Sequence, residues 1–487
     1  MSYSRPAMVA ETHIATVFFS GDRAYKLKKP VRNGFLDFTT REARERACRR
    51  EVELNRRFSP DVYLGVYDVR DERGVVCDHL VAMRRMDPER RLSALVRMGE
   101  PVGDPLREVA RRLAAWHAGA PRGPEISREG GRDALRRRWT DNLAETAAYG
   151  LPEAAEIERL VLRFLDGRGP LFARRVADDR IVDGHGDLIA DDVFCLPDGP
   201  RILDCLEFDD RLRYVDGLDD AAFLAMDLER LRAPALARAF LDRYSEFGGD
   251  PAPASLRHHY IAYRAFVRAK VSCLSERPAV AREYAELALR HLRAGSVALV
   301  LVGGLPGTGK STLAGALGDR LGWSVLSSDR TRKELAGLAA EQPARAPYGQ
   351  GIYGPRATKE TYAELLRRAE KLLGMGEPVV LDASWSDEVF REEAATVARR
   401  ARADLVALEC RTPALVSSAR LRDRRGGPSD ADTAVAEAMA AEAAPWPGAV
   451  AVDTDQPVEV CVDEALRAVR PHGYGHHWPL RPQMAPD

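Results

Sequence analysis

One segment constrains the fold of this chain more than any other. A continuous apolar run, SVALVLV from Ser296, leads directly into a glycine-rich turn, and a helical pattern beginning KSTLAGAL follows. The turn, Gly304 to Ser311, has the spacing GxxxxGK[ST], in which backbone N–H groups wrap phosphates at a helix N-terminus. This context favours a phosphate-binding loop (P-loop) over a chance glycine turn. The predicted nucleotide-binding residues of this loop are Gly304, Gly307, Thr308, Gly309, Lys310, Ser311 and Thr312.

The chemistry of the P-loop assigns separate tasks to its last residues and to two aspartates downstream. Lys310 would reach the β- and γ-phosphates of ATP and act in catalysis, while Ser311 would bind Mg²⁺. Asp329 and Asp382 end the next two apolar strands, VLSSD and VVLD, where parallel sheets bind ligands. We expect Asp382 to hold Mg²⁺ through water and Asp329 to orient or deprotonate an acceptor hydroxyl. An ordinary helix-cap or turn aspartate is the alternative for each.

An arginine-rich stretch, SSARLRDRRGGPSD, follows later in the same half. It resembles the lid of small P-loop kinases, which implies that Arg420 and Arg424 close over the transferring phosphate; a solvated basic helix end is the alternative. With the P-loop and Asp329, this lid makes residues 296 to about 468 similar to gluconate kinases, chloramphenicol phosphotransferase and zeta-toxin-like kinases. The resemblance implies ATP and Mg²⁺ as cofactors.

Bulk properties limit the remaining possibilities. The 487 residues exceed what one hydrophobic core supports, about 250–300 residues, so two domains are expected. A formal net charge of −1 gives no basic field to recruit nucleic acid or an anionic membrane. The longest apolar stretch is about half of the roughly 20 residues that a membrane span needs. Seven scattered cysteines without a CxxC pair, and no signal sequence, favour a reducing, cytoplasmic location.

The first half begins with a small sheet. THIATVFFS, a Ser20-Gly21-Asp22 turn and RAYKLKK predict a β-hairpin, and REARERACRREVELNRRF predicts a helix. Two or three further strands complete about ninety residues. Helical patterns then continue to about residue 292, interrupted by a β-rich insert that contains His185-Gly186-Asp187 and the segment RILDCLEF.

This insert resembles the catalytic region of the aminoglycoside phosphotransferase family, a relative of protein kinases whose loop reads HGDxxxxN. The resemblance implies that Asp187 is the catalytic carboxylate against the acceptor hydroxyl and that Asp204, on the next strand, binds Mg²⁺. Asp192 stands where the family has Asn, and it would be a second metal ligand with an extra negative charge. Lys26 matches the lysine that contacts the α- and β-phosphates, and Glu51 is its expected partner. Lys28 and Glu45 are the alternative members of that pair.

Taken end to end, the chain resembles bacterial bifunctional aminoglycoside phosphotransferase-like/ATP-binding proteins. It is therefore expected to be of α/β and α+β class, with a protein-kinase-like N-terminal domain and a C-terminal P-loop NTPase domain on a parallel sheet. The predicted bounds are 1–294 for the first domain (small lobe about 1–90, helical large lobe about 91–294), 295–470 for the second and 471–487 for a flexible tail.

The expected function is transfer of the ATP γ-phosphoryl group to a hydroxyl of a small molecule, a sugar or aminoglycoside-like compound, with no nucleic-acid or membrane partner. The sequence does not predict the oligomeric state. Two rival functions stay open: a P-loop enzyme regulated by a catalytically weak kinase-like domain, suggested by Asp192, and a nucleic-acid end kinase. Among weaker features, His117 is expected to be a packed structural residue. Arg264, Arg268 and Lys270 are interpreted as a solvated helix face rather than an anionic pocket.

Overall fold

The computed structural model describes residues 8–11, 14–33, 36–423 and 429–469. These residues form two compact units, each described by itself below. Of the described residues, the first unit contains those up to 158 and those in 172–252 and 257–291, and the second contains those in 159–171 and 253–256 and those from 292 onward. The chain therefore passes from the first unit into the second between His291 and Leu292, and two short earlier segments also belong to the second unit.

The first unit opens with an antiparallel sheet and one helix. Its strands are β1 (Met8–Glu11), β2 (Ala15–Ser20), β3 (Arg23–Lys28), β4 (Arg32–Asn33), β5 (Leu36–Asp37), β6 (Tyr63–Arg70) and β7 (Val76–Arg84), and helix α1 spans Arg41–Asn55. The main sheet has the order β1-β2-β3-β7-β6, while β4 and β5 pair separately. Thr40 caps α1 by accepting a hydrogen bond from the N–H of Ala43 at 3.2 Å. The apolar face of α1 packs Cys48 and Val52 against the sheet residues Tyr63 and Val81.

Helices dominate the rest of the first unit, as the sequence predicts. The further helices up to residue 294 are α2 (Leu92–Met98), α3 (Gly103–Gly119), α4 (Pro124–Glu129), α5 (Arg132–Thr146), α6 (Ala154–Gly167), α7 (Gly169–Ala177), α8 (Gly217–Arg230), α9 (Pro234–Gly248), α10 (Ala254–Leu274) and α11 (Pro278–Ala294). Most of α6, the first residues of α7 and α10 and the end of α11 belong to the second unit. Four short strands interrupt the helices: β8 (Ile181–Asp183), β9 (Val193–Leu196), β10 (Gly199–Ile202) and β11 (Tyr214–Asp216). The β9–β10 hairpin and the β8–β11 pair are both antiparallel, and they frame the loop that contains Asp187.

The second unit is built on a parallel sheet of order β13-β14-β12-β15-β16. Its strands are β12 (Ala298–Gly303), β13 (Ser324–Ser327), β14 (Val379–Asp382), β15 (Asp404–Arg411) and β16 (Val450–Asp453). Its helices are α12 (Lys310–Leu321), α13 (Ser328–Leu335), α14 (Pro355–Gly374), α15 (Glu388–Arg400), α16 (Ala414–Asp423), α17 (Thr433–Glu442) and α18 (Val458–Val469). Strand β12 is buried along its whole length, which explains its uninterrupted apolar sequence. The P-loop follows β12, so it lies at the C-terminal edge of the sheet.

The predicted fold class is confirmed. An antiparallel sheet with one long helix followed by a helical region is the kinase-like arrangement, and the second unit combines a P-loop with a parallel sheet. The hairpin predicted around Ser20-Gly21-Asp22 is β2–β3, in register from Ala15↔Lys28 to Ser20↔Arg23. Among the described residues, no helix has the length and apolarity needed to cross a membrane.

Candidate active sites

The first candidate site is centred on Lys26 of β3. Its Nζ lies 2.9 Å from Glu51 Oε1 on α1 and 2.6 Å from Asp204 Oδ1, which follows β10. Burial opposes the charged ammonium, but the carboxylates of Asp204 and Glu51 raise the pKa of Lys26 well above its ordinary value. The structure thus brings together the lysine, glutamate and aspartate singled out in the sequence. The alternative partner, Glu45, instead contacts Arg49 at 2.9 Å and His79 at 3.5 Å.

Asp204 is held in an unusual backbone conformation. Its φ is +64°, a left-handed value that costs a non-glycine residue free energy and tends to occur at functional sites. Its N–H donates to Tyr63 Oη at 3.1 Å, and the N–H of Cys205 donates to Asn55 Oδ1 at 2.9 Å. These bonds fix the main chain while the side chain stays 51% exposed. Lys26 lowers the pKa of Asp204, so its carboxylate is ionised and faces solvent.

A buried carboxylate holds the loop that carries Asp187. Asp220, on α8, accepts the N–H groups of His185 at 2.7 Å and Gly186 at 2.8 Å. His117 lies between this carboxylate and Tyr244, with Nε2 3.0 Å from Asp220 and Nδ1 2.8 Å from Tyr244 Oη. Burial would raise the pKa of Asp220, but the hydrogen bond and charge of His117 lower it below its ordinary value. His117 is buried and packed, as expected from the sequence.

Two further aspartates place negative charge close to Asp204. Burial raises the pKa of Asp187 to about 6, with Arg268 opposing and Asp204 adding to the shift. Burial, and then the charges of Asp204 and Asp187, raise the pKa of Asp192 well above its ordinary value. A bound cation relieves the mutual repulsion among carboxylates, and Mg²⁺ prefers oxygen ligands. The donor set therefore fits a magnesium ion, although the described residues contain no preformed cluster of three or more ligating side chains.

The interpretation of Arg264 and Arg268 as a solvated helix face is wrong. Arg264 is 4% exposed and its Nε lies 2.8 Å from Asp219 Oδ1, while its Nη1 donates to the carbonyl of Gly186 at 3.2 Å. Arg268 is half-buried, and Asp187 raises the pKa of its guanidinium against the effect of burial. Lys270 is half-buried as well, and its Nζ lies 3.2 Å from Glu145 Oε2. The helical period indicated a shared face but not the acidic loop against which this face packs.

The second candidate site is the P-loop between β12 and α12. Gly304, Gly307 and Gly309 have φ values of +139°, +84° and +85°, which residues with a side chain rarely adopt. A Cβ on Gly304 would lie 2.6 Å from Thr308 Oγ1, and one on Gly307 would lie 2.6 Å from the carbonyl oxygen of Ser417. Both positions therefore require glycine. This cradle fits the phosphates of a nucleotide.

A threonine that the sequence analysis missed anchors the P-loop from β16. The Oγ1 of Thr454 donates to the carbonyl of Thr308 at 2.5 Å and lies 3.0 Å from that of Arg411. Arg420 donates from Nη2 to the carbonyl of Thr454 at 2.9 Å, so this predicted lid arginine lies beside the loop. Ser311 and Thr312 are exposed in the first turn of α12. Arg424 lies outside the described residues.

Asp382 faces the start of the P-loop helix. It ends β14, in register with Val302 of β12 and Ser327 of β13. Its buried Oδ1 has no hydrogen-bond partner among the described residues. Burial raises the pKa of Asp382, while Lys310 and the Ser311 hydroxyl act to lower it. A buried carboxylate oxygen without a partner, next to a lysine and a serine hydroxyl, fits a hydrated Mg²⁺.

Asp329 does not end a strand, as the sequence predicted, because β13 stops at Ser327; it lies in the first turn of α13, close to a buried arginine. Burial lowers the pKa of Arg332, and the carboxylate of Asp329 is the first of the groups that oppose this shift. Arg332 donates to the carbonyl of Ile352 at 2.9 Å and to Thr358 Oγ1 at 3.0 Å, and its guanidinium lies 5.0 Å from the ring centre of Tyr353. Tyr353 in turn donates to Asp430 at 2.9 Å. Asp329 therefore sits beside a buried cation within a connected polar network.

Comparison with known proteins identifies a relative that matches nearly the whole chain. The Mycobacterium tuberculosis protein Rv2004c, described as uncharacterized, is 43% identical over 475 residues, which cover 95% of each chain. The chain belongs to the Rv2004c family. Residues 299–446 of this chain match the AAA domain family. The matched range contains the P-loop, Asp329, Asp382 and Arg420.

Two solved kinases are similar to parts of this Rv2004c-family chain. The choline/ethanolamine kinase family protein from Mesorhizobium loti is 17% identical and covers 60% of this chain and 88% of its own, with a TM-score of 0.40. A gluconokinase from Sinorhizobium meliloti is 20% identical and covers 36% of this chain and 91% of its own, with a TM-score of 0.27.

Proposed function

We propose that this protein is a cytoplasmic, ATP- and Mg²⁺-dependent phosphotransferase with two nucleotide sites. Each site would transfer a phosphoryl group to a hydroxyl of a small molecule, a sugar or aminoglycoside-like compound. The observation that carries the two-site proposal is the contact of Lys26 with both Glu51 and Asp204. These three residues come from a strand, a helix and a loop, and the fold of the first unit brings them together.

In the first unit, Mg·ATP would supply the phosphoryl group and the charge that neutralises the acidic residues. Asp204 and Asp192 would hold the metal, and Lys26 would turn from Asp204 toward the phosphates while Glu51 orients it. Asp187 would accept hydrogen bonding from the acceptor hydroxyl and take its proton. Arg264 and Arg268 would stabilise the loop of Asp187 through Gly186 and by charge. Most of the rate gain would come from positioning and electrostatics.

In the second unit, the P-loop amides and Lys310 would bind the phosphates, with Gly304, Gly307 and Gly309 permitting their close approach. Ser311 and Asp382 would hold Mg²⁺. Asp329 would orient the acceptor hydroxyl or remove its proton, supported by the neighbouring charge of Arg332. Arg420 would cover the transferring phosphate from α16.

The test is ATP consumption and phosphorylated product measured against a panel of sugars and aminoglycosides for the wild type, Asp187→Ala and Lys310→Ala. If each substitution removes a different activity, the two-site proposal holds. If Lys310→Ala removes every activity and Asp187→Ala none, the first unit binds a ligand and regulates the second instead. Asp192 favours this second function, because an extra carboxylate at the metal position adds repulsion that Asn would not.

A further inference from the structure

Strand β3 carries two lysines on the face toward α1, because side chains two residues apart point the same way. Lys26 belongs to the site described above. Lys28 is more deeply placed, since its side chain has no exposure at all. Its Nζ lies 2.6 Å from Glu51 Oε2, the oxygen that Lys26 does not contact, and it also contacts Glu207. Glu51 is therefore shared by both lysines, one on each oxygen.

Glu207 gives Lys28 a second connection. It lies three residues after Asp204 on the same loop, and its side chain is 8% exposed. The same loop is tied to the catalytic loop, because the N–H of Leu206 donates to the carbonyl of His185 at 3.1 Å. Lys28 thus joins β3, α1 and the Asp204 loop at one ammonium group. Lys26 also joins these elements, but it would leave Asp204 when a nucleotide binds.

Stability alone is a weak explanation for this arrangement. Removing three charged side chains from water costs free energy that their mutual attraction does not reliably recover. Apolar side chains packed in their place often give the same stability or more. The chain contains only eight lysines against sixty-five arginines, so lysine at this position is not a generic cation. A compact ammonium with three donors suits two carboxylates that approach from different elements. The arrangement favours a role in geometry.

We propose that Lys28 is a positioning residue of the first nucleotide site: it fixes Glu51 and, through Glu207, the loop that carries Asp204, so that Lys26 is free to turn toward the phosphates. This inference rests on the proposed function of the first unit. It implies that Lys28 acts on the affinity for the metal–nucleotide complex without touching either component. It also implies that the effect passes through Glu207.

The experiment uses the full chain with Lys310→Ala, which removes phosphate binding at the P-loop. Calorimetry measures the affinity for ADP across a Mg²⁺ titration, and thermal unfolding is recorded in parallel. Lys28→Met should weaken Mg·ADP binding at least tenfold and raise the Mg²⁺ concentration needed for half-saturation. Lys29→Met is the matched control, because Lys29 contacts Glu11, which is 67% exposed, at 3.1 Å. Its affinity should stay within twofold of the parent.

A double variant separates positioning from stability. Lys28→Met leaves Glu207 buried without a cation, and adding Glu207→Gln removes that charge. We expect Lys28→Met/Glu207→Gln to recover the unfolding temperature but not the affinity or the Mg²⁺ requirement. Recovery of affinity together with unfolding temperature, or unchanged affinity in Lys28→Met, would overturn the proposal. Should Lys28→Met fail to fold, the double variant carries the test. If the Lys310→Ala parent binds no nucleotide, the proposed first site fails, and the inference fails with it.

Discussion

The hydroxyl of Thr454 donates a hydrogen bond to the main-chain carbonyl of Thr308, 146 residues earlier in the chain. This bond joins the end of β16 to the P-loop. We expect Thr454→Val, which keeps the shape but removes the donor, to cost about 1–2 kcal/mol in the free energy of unfolding because it leaves a buried carbonyl unpaired. Nucleotide affinity at the P-loop should fall several-fold. Thr454→Ser keeps the hydroxyl and should preserve most of both quantities, as measured by calorimetry and denaturant unfolding.

Glycine is required at position 307 of the P-loop and dispensable at position 315 of the helix that follows. Gly307 has φ of +84°, and an added Cβ would lie 2.6 Å from the carbonyl of Ser417. Gly307→Ala should therefore destabilise the second unit by roughly 1–3 kcal/mol and abolish nucleotide binding there. Gly315 lies within α12 with open space at its Cβ position. Gly315→Ala should stabilise by about 0.5–1 kcal/mol and leave affinity unchanged. Equal effects at the two positions would contradict this account.

The parts of the fold that depend on nearby residues could be predicted from the sequence. The apolar run, the glycine spacing and the helical pattern that identify the P-loop all lie within about 25 consecutive residues. The turn at Gly21 likewise identifies the β2–β3 hairpin. Lys26 and Lys28 lie two residues apart on one strand and so on the same face, and the sequence could not decide which of them pairs with the glutamate. In the structure both contact Glu51, so the two alternatives were not exclusive.

The parts that depend on distant packing could not be predicted. Arg264 is buried because Asp219 and the carbonyl of Gly186 meet it from other elements, and nothing in its own helix indicates this. Thr454 is one of many threonines until β16 lies beside the P-loop. The site roles assigned to Asp187, Asp192, Asp329 and Asp382 stay predictions.

Asp430 holds the segment before α14 through a buried cation. It lies 3.3 Å from the Nζ of Lys333, whose side chain is fully buried, and it accepts the hydroxyl of Tyr353 at 2.9 Å. Removing one partner of a buried ion pair costs about 3–5 kcal/mol. We expect Asp430→Asn to destabilise by this order and to speed amide hydrogen exchange in residues 338–354. Glu442→Gln is the control, because Glu442 accepts the hydroxyl of the exposed Tyr348 and a glutamine oxygen can do the same.

Asp187 should make the first unit less stable as the pH rises. Burial raises the pKa of Asp187 to about 6, against an ordinary value of 3.8 that the unfolded chain retains. Between these pH values the unfolded state loses its proton before the folded state does, so stability falls by at most about 3 kcal/mol in total. Asp187→Asn removes this titration. The ligand-free variant should therefore unfold at a higher temperature than the wild type at pH 8 and at a similar temperature near pH 4, although its phosphotransfer is lost. If Asp187→Asn is equally stabilised at both pH values, the Asp187 carboxylate does not cause the pH dependence of stability. In the wild type, activity of this site should rise as the pH passes through about 6, because only the carboxylate accepts a proton.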